Sequence, residues 1–443
     1  MIKTRDQIKI QSLAFASQLL PAVIGVGSFM LLVRMATPVV LGQYLIFMAA
    51  VVLCEMIKAG GLQSALVMRI SGNDPEQQKR IIGSAYWLGG IFSLSLSLVL
   101  IILYFTGIFH KQPGIEIFCG WYACLGIITL PIHIADASGV AKQDLKFLLW
   151  LRFAQSANAL LVAGWAWLEG SSLKAFASVN LFFTLFLVIM IIALGKTNPA
   201  YIKYKVKGEV MALFRLIKYA MATMATTNLL KSADTFLIAS FMGPEAVAKY
   251  AVPLKLTELF DIPLRSLSTT AFPQLAAKHN TMDTRGFKST FIQYISWAYL
   301  LYLPALIICF IFAPLIVVIM GGHSYEDTAI IFRVFILYAL LLPSDRLTGI
   351  SLDALQMPSR NFQKVFIMAS VNIVGDILAI TLTHNLAWVA FASVLNAGTG
   401  ALLGWWMLEK TGVMAPGKIF SDVYAYSMDF VKQGYQKIKY RFH

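Results

Sequence analysis

Long apolar stretches separated by short polar breaks run the length of the chain. Twelve are readable, at roughly 11–36, 40–66, 81–107, 115–136, 146–168, 173–195, 213–241, 246–272, 289–320, 328–353, 363–383 and 385–408. Each approaches or exceeds the about 20 residues that an α-helix needs to cross about 30 Å of hydrocarbon. The runs are continuous, whereas the strands of a membrane barrel alternate polar and apolar residues. The pattern predicts an all-α polytopic membrane protein with twelve transmembrane helices. The first run begins near residue 10, is too long for the core of a cleavable signal and lacks a cleavage site, so it is expected to stay as the first helix. The connections are short except for a basic linker at 196–212 and the segment from 410 onward.

Composition supports this reading and narrows it. Charged residues make up 13% of the 443, against about 25% in soluble domains, and mean hydropathy is +0.71. An ordinary soluble enzyme, a disordered chain and a small secreted scaffold are excluded. Cys54, Cys119, Cys124 and Cys309 all fall inside apolar runs without metal or redox spacing, and are expected as small buried hydrophobes. The cations are distributed unevenly. Loops assigned to one side of the membrane, with the tail, carry 23 Lys and Arg; the other side carries only Lys111, Lys174 and Lys249. The positive-inside rule then places both termini in the cytoplasm. An odd number of spans would destroy this asymmetry.

The two halves of the chain resemble each other. At an offset of 206 residues Pro38 matches Pro244, Tyr44 matches Tyr250, Glu55 matches Asp261 and Ala65 matches Ala271. Six helices per half give both halves the same orientation, a parallel repeat about the membrane normal. The expected organisation is an N-terminal bundle at 1–200, a C-terminal bundle at 201–410 and an amphipathic cytoplasmic tail at 411–443. In that tail Ile419, Val423, Tyr424, Val431, Tyr435 and Ile438 alternate with Lys418, Lys432, Lys437 and Lys439, a pattern suited to an anionic membrane surface.

Catalytic and nucleotide motifs are missing. Gly195-Lys196-Thr197 looks like the end of a phosphate loop, but Met190 stands where that motif needs glycine. What stands out is charge within the spans, which is costly in lipid and so faces a cavity or a partner. Arg34, Glu55 and Lys58, Arg152, Lys231 and Asp234, Lys255, Glu258, Asp261 and Arg265, Arg333, Asp345, Arg346 and Asp353, and Asp376 all lie there. Glu55/Lys58, Lys231/Asp234, Lys255/Glu258 and Asp261/Arg265 are spaced three or four residues apart, so each is open to the reading of a local ion pair. Alternatively the cations Arg34, Lys58, Lys231, Lys255, Arg265, Arg333 and Arg346 grip an anion, since arginine suits diphosphate through paired hydrogen bonds and lysine through point charge. Glu55, Asp234, Glu258 and Asp261 are the acids placed to couple an ion. His133 and Asp136 read as a polar pair at a helix end. Thr226, Thr227 and Asn228 read as hydrogen-bonding groups between helices.

The segments RMATPVVLGQYLIFMAAVV and SADTFLIASFMGPEAVAKYAVPLKL, with DALQMPSRNFQKV, resemble the multidrug/oligosaccharidyl-lipid/polysaccharide exporter superfamily, and within it the bacterial polysaccharide flippases for O-antigen or capsule repeat units. The resemblance spans essentially the whole chain. It implies two six-helix bundles working by alternating access in the cytoplasmic (inner) membrane. Helices 1, 2, 7 and 8 would line a cationic cavity. The implied substrate is an oligosaccharide on polyprenyl (undecaprenyl) diphosphate, carried from inner to outer leaflet. No enzymatic reaction and no cofactor are expected; membrane lipids and the polysaccharide polymerase machinery are the further partners, and nucleic acid is not one. Drug antiporters of the superfamily carry an acid in the first helix, where the position matching Asp234 is Ser28 here. A glycan polymerase or acyltransferase would need a larger outer loop than these spans leave. Peptidoglycan-precursor flippases usually have fourteen helices, two more than are read here.

Overall fold

The computed structural model describes residues 21–70, 74–142, 144–170, 172–412, 425, 426 and 428. The expected tail helix and the start of the first apolar run lie outside the described residues, as do the side chains of Thr226, Thr227 and Lys231. The described chain is helical throughout and contains no strand. Its helices are α1 (Pro21–Met35), α2 (Pro38–Ile70), α3 (Pro75–Thr106), α4 (Pro113–Ile128), α5 (Leu130–Ala141), α6 (Leu145–Glu169), α7 (Leu173–Ala193), α8 (Lys207–Phe241), α9 (Pro244–Asn280), α10 (Thr284–Ile311), α11 (Ala313–Gly321), α12 (Ala329–Ala354), α13 (Pro358–Thr383) and α14 (Leu386–Lys410).

These map onto the twelve apolar runs once α4–α5 and α10–α11 are each taken as one broken run. Among the described residues, eight helical segments are long and apolar enough to cross a membrane, and a ninth is the pair α4–α5, bent by 47°. This makes the chain a multi-pass membrane protein. The helices α8 and α9 are long but less apolar and are not among these, and α1 is described over 15 residues.

Helix boundaries follow local chemistry. Proline, whose missing N–H costs nothing in a first turn, opens α2, α3, α4, α9 and α13. Carboxylate caps hold other starts: Asp74 accepts from Gln77 N at 2.7 Å and Asp283 from Gly286 N at 2.8 Å. The break between α4 and α5 falls at Thr129, two residues before Pro131, which cannot donate to a preceding carbonyl.

The chain forms two compact units, Met1–Ala248 and Lys249–His443. The expected bundle boundary lay at 200/201; α8, expected to open the second bundle, packs within the first unit. Glycine makes this possible. Gly60 and Gly61 of α2 lie under Met224 and Met221 of α8, where a β-carbon would collide with the methionine side chains. In the first unit a core of Leu62, Leu66, Ile81, Ile134, Leu213 and Ile217 joins α2, α3, α5 and α8. In the second, Leu275, Phe291, Ile295, Leu347, Trp405 and Leu408 join α9, α10, α12 and α14.

The 206-residue repeat has matching environments in the two units. Pro38 and Pro244 each begin a long helix. Tyr44 is buried edge-on against Phe176 at 5.3 Å, and Tyr250 edge-on against Phe335 at 5.4 Å. Ala65 and Ala271 are both in cores.

Candidate functional site

In the first unit the intramembrane charge gathers on Glu55. Lys58, one turn further along α2, donates to Glu55 Oε1 at 2.8 Å. The bend between α4 and α5 brings three more groups to the same carboxylate. Tyr122 donates its hydroxyl at 2.5 Å, Thr129 donates at 3.0 Å, and His133 Nε2 lies 2.6 Å from Oε2. The Lys58 ammonium is completed by the Gly126 carbonyl at 2.9 Å and by Thr129 Oγ1. Its side chain is 2% exposed. Next to this cluster, Arg152 of α6 donates to both oxygens of Asp136 at 3.0 Å, and Gln63 Nε2 reaches Asp136 at 3.4 Å. Both groups line one cavity of about 530 Å³, enclosed by α2 and α4 to α7.

The arrangement corrects two expectations. His133 and Asp136 are one turn apart, but His133 meets Glu55 and Asp136 meets Arg152, so they belong to two different pairs. Lys58 is not presented to a ligand: its ammonium is spent on three protein acceptors. Tyr122 and Thr129 were missed by sequence reasoning. They lie 67 and 74 residues from Glu55, and one proline near the bend was the only signal.

In the second unit the acid matching Glu55 is Asp261, and it is held differently. Arg265 donates to Asp261 Oδ2 through Nη2 at 2.8 Å and Nε at 3.1 Å. Arg346 of α12 donates to Oδ1 at 3.0 Å. Two guanidiniums on one carboxylate leave a net positive charge. Both remain open, with side-chain exposures of 58% for Arg265 and 40% for Arg346. The Lys255–Glu258 pair closes at 2.6 Å along α9. Arg333 lies with its guanidinium 5.5 Å from the Phe310 ring and donates to the Phe310 carbonyl at 3.4 Å.

Lys364, at the start of the apolar run 363–383, is 2% exposed and bonded to the Asp345 carboxylate at 2.7 Å and its carbonyl at 2.8 Å. The helix α13 starts at Pro358, five residues before that run, so Lys364 sits in its second turn. Deeper in α13, Asn372 donates to the buried Asp376 at 2.8 Å, and Asn396 of α14 donates to Asn372 at 3.3 Å. Arg34 is exposed at the end of α1, Asp234 is half-buried, and Asn228 bonds back to the Met224 carbonyl. Ser28, the repeat partner of Asp234, is buried and bonded to the Ile24 carbonyl at 2.6 Å. Among the described residues, no cluster of three or more His, Cys, Asp or Glu is arranged to hold a metal ion.

Outside the helices, two carboxyls are held below their ordinary range. Asp144 is lowered by a hydrogen bond from Lys196 at 2.7 Å and one from the Phe147 N–H. Asp283 is lowered by the Gly286 N–H and by Lys278.

Comparison with known proteins places this chain. A family model described as "Polysaccharide biosynthesis protein" matches residues 31–330. A "probable low-salt glycan biosynthesis flippase" of Haloferax volcanii is 21% identical over 282 residues, which cover 62% of this chain and 59% of that relative's length. The match therefore spans less than two thirds of the relative. Among solved structures, a lipid II flippase in an inward closed conformation matches with a TM-score of 0.74 at 15% identity, over 95% of this chain and 92% of that one. An inward-facing multidrug resistance transporter of the MATE family matches at 0.71 and 12% identity, over 91% of this chain and 99% of that one. At such identities the structures speak for the fold alone, which is the one these two proteins have. With the family model covering more than half of its length, this chain belongs to the polysaccharide biosynthesis protein family.

Proposed function

We propose that the protein is a flippase that moves oligosaccharide repeat units linked to polyprenyl (undecaprenyl) diphosphate from the inner to the outer leaflet of the cytoplasmic membrane, by alternating access and without a chemical reaction. Both termini would lie in the cytoplasm, and O-antigen or capsule would be the end product. The observation that carries this reading is the Asp261 cluster: one carboxylate shared by two open guanidiniums, one from α9 and one from α12. Such an excess of positive charge is costly in lipid unless a hydrated cavity or an anion meets it. Guanidinium forks match the oxygens of a diphosphate. The names of the relatives support the same substrate class. Arg34, Lys231, Lys255 and Arg333 are assigned secondary contacts to the diphosphate or glycan. Glu55, with His133 against it, is the acid assigned to ion coupling, and Asp234, Glu258 and Asp261 remain in that set.

The test uses a strain lacking the protein. Polyprenyl-diphosphate sugars are extracted, identified by mass spectrometry and assigned to a leaflet. Full-length repeat units held on the cytoplasmic leaflet are the expected result. Units that reach the outer leaflet unpolymerised would point to a polymerase instead. Unchanged lipid-linked sugars with new sensitivity to cationic dyes would point to a drug antiporter.

A further inference from the structure

The segment 196–207, which joins α7 to α8, is strapped onto the first turns of α3 and contains a short 3₁₀ helix at Pro199–Tyr204. Thr197 is buried, and its hydroxyl meets the Tyr86 hydroxyl at 2.6 Å. The Val206 N–H donates to Ser84 Oγ at 3.2 Å. Between these two points the Tyr201 carbonyl lies against Gly83, where a β-carbon would collide with it. At the start of the strap Lys196 donates to Asp144 at 2.7 Å. One side of the strap is thereby fixed to α3.

On its other side the chain alternates between apolar and cationic residues: Ile202, Lys203, Tyr204, Lys205, Val206 and Lys207. All six are exposed. The acids nearby are already matched to other cations, Asp144 to Lys196, Glu76 to Lys79 and Glu209 to Arg69. Among the described residues no carboxylate pairs with Lys203, Lys205 or Lys207, and Lys205 rests its ammonium 3.0 Å from the centre of the Trp87 ring.

Trp87 shows what lies over this side. Trp87, Ile91, Leu94 and Leu98 are all exposed, and their spacing puts them on one face of α3. The helix is long and apolar enough to cross a membrane, so that face meets hydrocarbon. From Trp87 to Thr106, where α3 ends, the helix measures about 30 Å, the thickness of the hydrocarbon layer. Trp87 therefore stands at one edge of that layer, the level where tryptophan is enriched. The strap lies at the same level, with apolar side chains for the acyl boundary and lysines for the headgroups.

We propose that Lys203, Lys205 and Lys207, with Ile202, Tyr204 and Val206 between them, bind the anionic phospholipid of the leaflet that the strap faces. Three lysines without a carboxylate complement a headgroup of net negative charge, whereas a zwitterionic headgroup brings its own cation. The chain's own tail is the wrong occupant, because Lys418, Lys432, Lys437 and Lys439 make it cationic too. Lipid held here fixes the start of α8, which follows directly at Lys207. The proposal is independent of the flippase reading.

The purified full chain is titrated with phosphatidylglycerol or with phosphatidylcholine, and bound lipid is counted by native mass spectrometry. The wild type should hold phosphatidylglycerol more tightly. Lys203→Gln, Lys205→Gln and Lys207→Gln combined should weaken that binding by about a hundredfold, at about fivefold for each lysine near an anionic surface. Arginine at the same three positions should restore it. Lys203→Gln alone should cost about fivefold and supplies the test should the triple variant unfold. Lys79→Gln, which removes an exposed lysine paired with Glu76 away from the strap, should leave the preference unchanged. Undiminished preference in the triple variant and in Lys203→Gln would overturn the proposal, as would equal binding of both lipids by the wild type. A loss in Lys79→Gln as large as in Lys203→Gln would show an effect of net charge alone and also overturn it. Tighter binding of undecaprenyl phosphate than of phosphatidylglycerol would make the carrier lipid the occupant and overturn it as well.

Discussion

Glu55 and Asp261 occupy matching places in the repeat, yet their surroundings differ in kind. Around Glu55 the donors are one lysine, two hydroxyls and an imidazole, and the lysine is fully enclosed. The lysine is closed off, while the carboxylate it neutralises still lines the polar cavity. Around Asp261 both donors are arginines, both open, and the cluster keeps a positive charge. One duplicated acid thus serves two purposes. In the first unit it ties α2 to the α4–α5 bend; in the second it positions cations. The second unit has its own closed lysine, but it is Lys364 on Asp345, away from the repeat acid.

The largest effect that would test this contrast is on transport. Replacing Arg265 and Arg346 together by alanine should reduce export of repeat units by about a hundredfold or more, two charge-assisted hydrogen bonds being worth about 1.5–3 kcal/mol each. The protein should stay in the membrane at normal level. Export at wild-type rate, measured as surface polysaccharide, would remove the distinction between the two acids.

Stability should behave in the opposite way. Lys58→Ala and Lys364→Ala each break an enclosed pair and should cost about 3–5 kcal/mol. Arg265→Ala, at an exposed pair, should cost less than about 1 kcal/mol. Thermal unfolding of the purified variants in detergent ranks the three. A Lys58 variant as stable as wild type would mean that the closed pair does not hold α2 to the bend.

An intermediate effect is expected where helices touch through glycine. A β-carbon on Gly42 would run into the backbone carbonyl of Pro244, which cannot yield as a side chain can. Gly42→Ala should therefore cost about 1–3 kcal/mol. Gly61→Ala, opposite the flexible Met221, should cost less. The same unfolding measurement compares them.

The smallest effect is at the loop carboxyl Asp144. Its folded pKa lies below the ordinary value, so its contribution is present above about pH 4 and disappears as pH falls through the lower folded value. Asp144→Asn should lower stability by less than about 1 kcal/mol near neutrality, because the pair with Lys196 is partly exposed. The variant and wild type should converge in acid. A difference that persists at low pH would show that the cap to Phe147, not the charge, is what matters.

The site was legible only in part. The i,i+3 and i,i+4 pairs Glu55/Lys58, Lys255/Glu258 and Asp261/Arg265 formed as their spacing on a helix implies, because such neighbours share a face. Contacts across helices were not readable. Nothing near Tyr122 or His133 in the chain indicates that both meet Glu55. Lys364 is a further case: nothing beside it in the chain shows that it is enclosed against Asp345, 19 residues away.

The sequence by itself determined the helices, their approximate ends, the duplication and the presence of charge in places lipid does not tolerate. These follow from local periodicity, from the length needed to span hydrocarbon and from the reach of one helical turn. Which acid meets which cation was decided by tertiary structure. A proline-linked bend, glycines thin enough to let α8 approach α2, and the early start of α13 set distances between residues far apart in the chain. Those distances enclosed the lysine paired with one repeat acid and left the other acid with two open arginines.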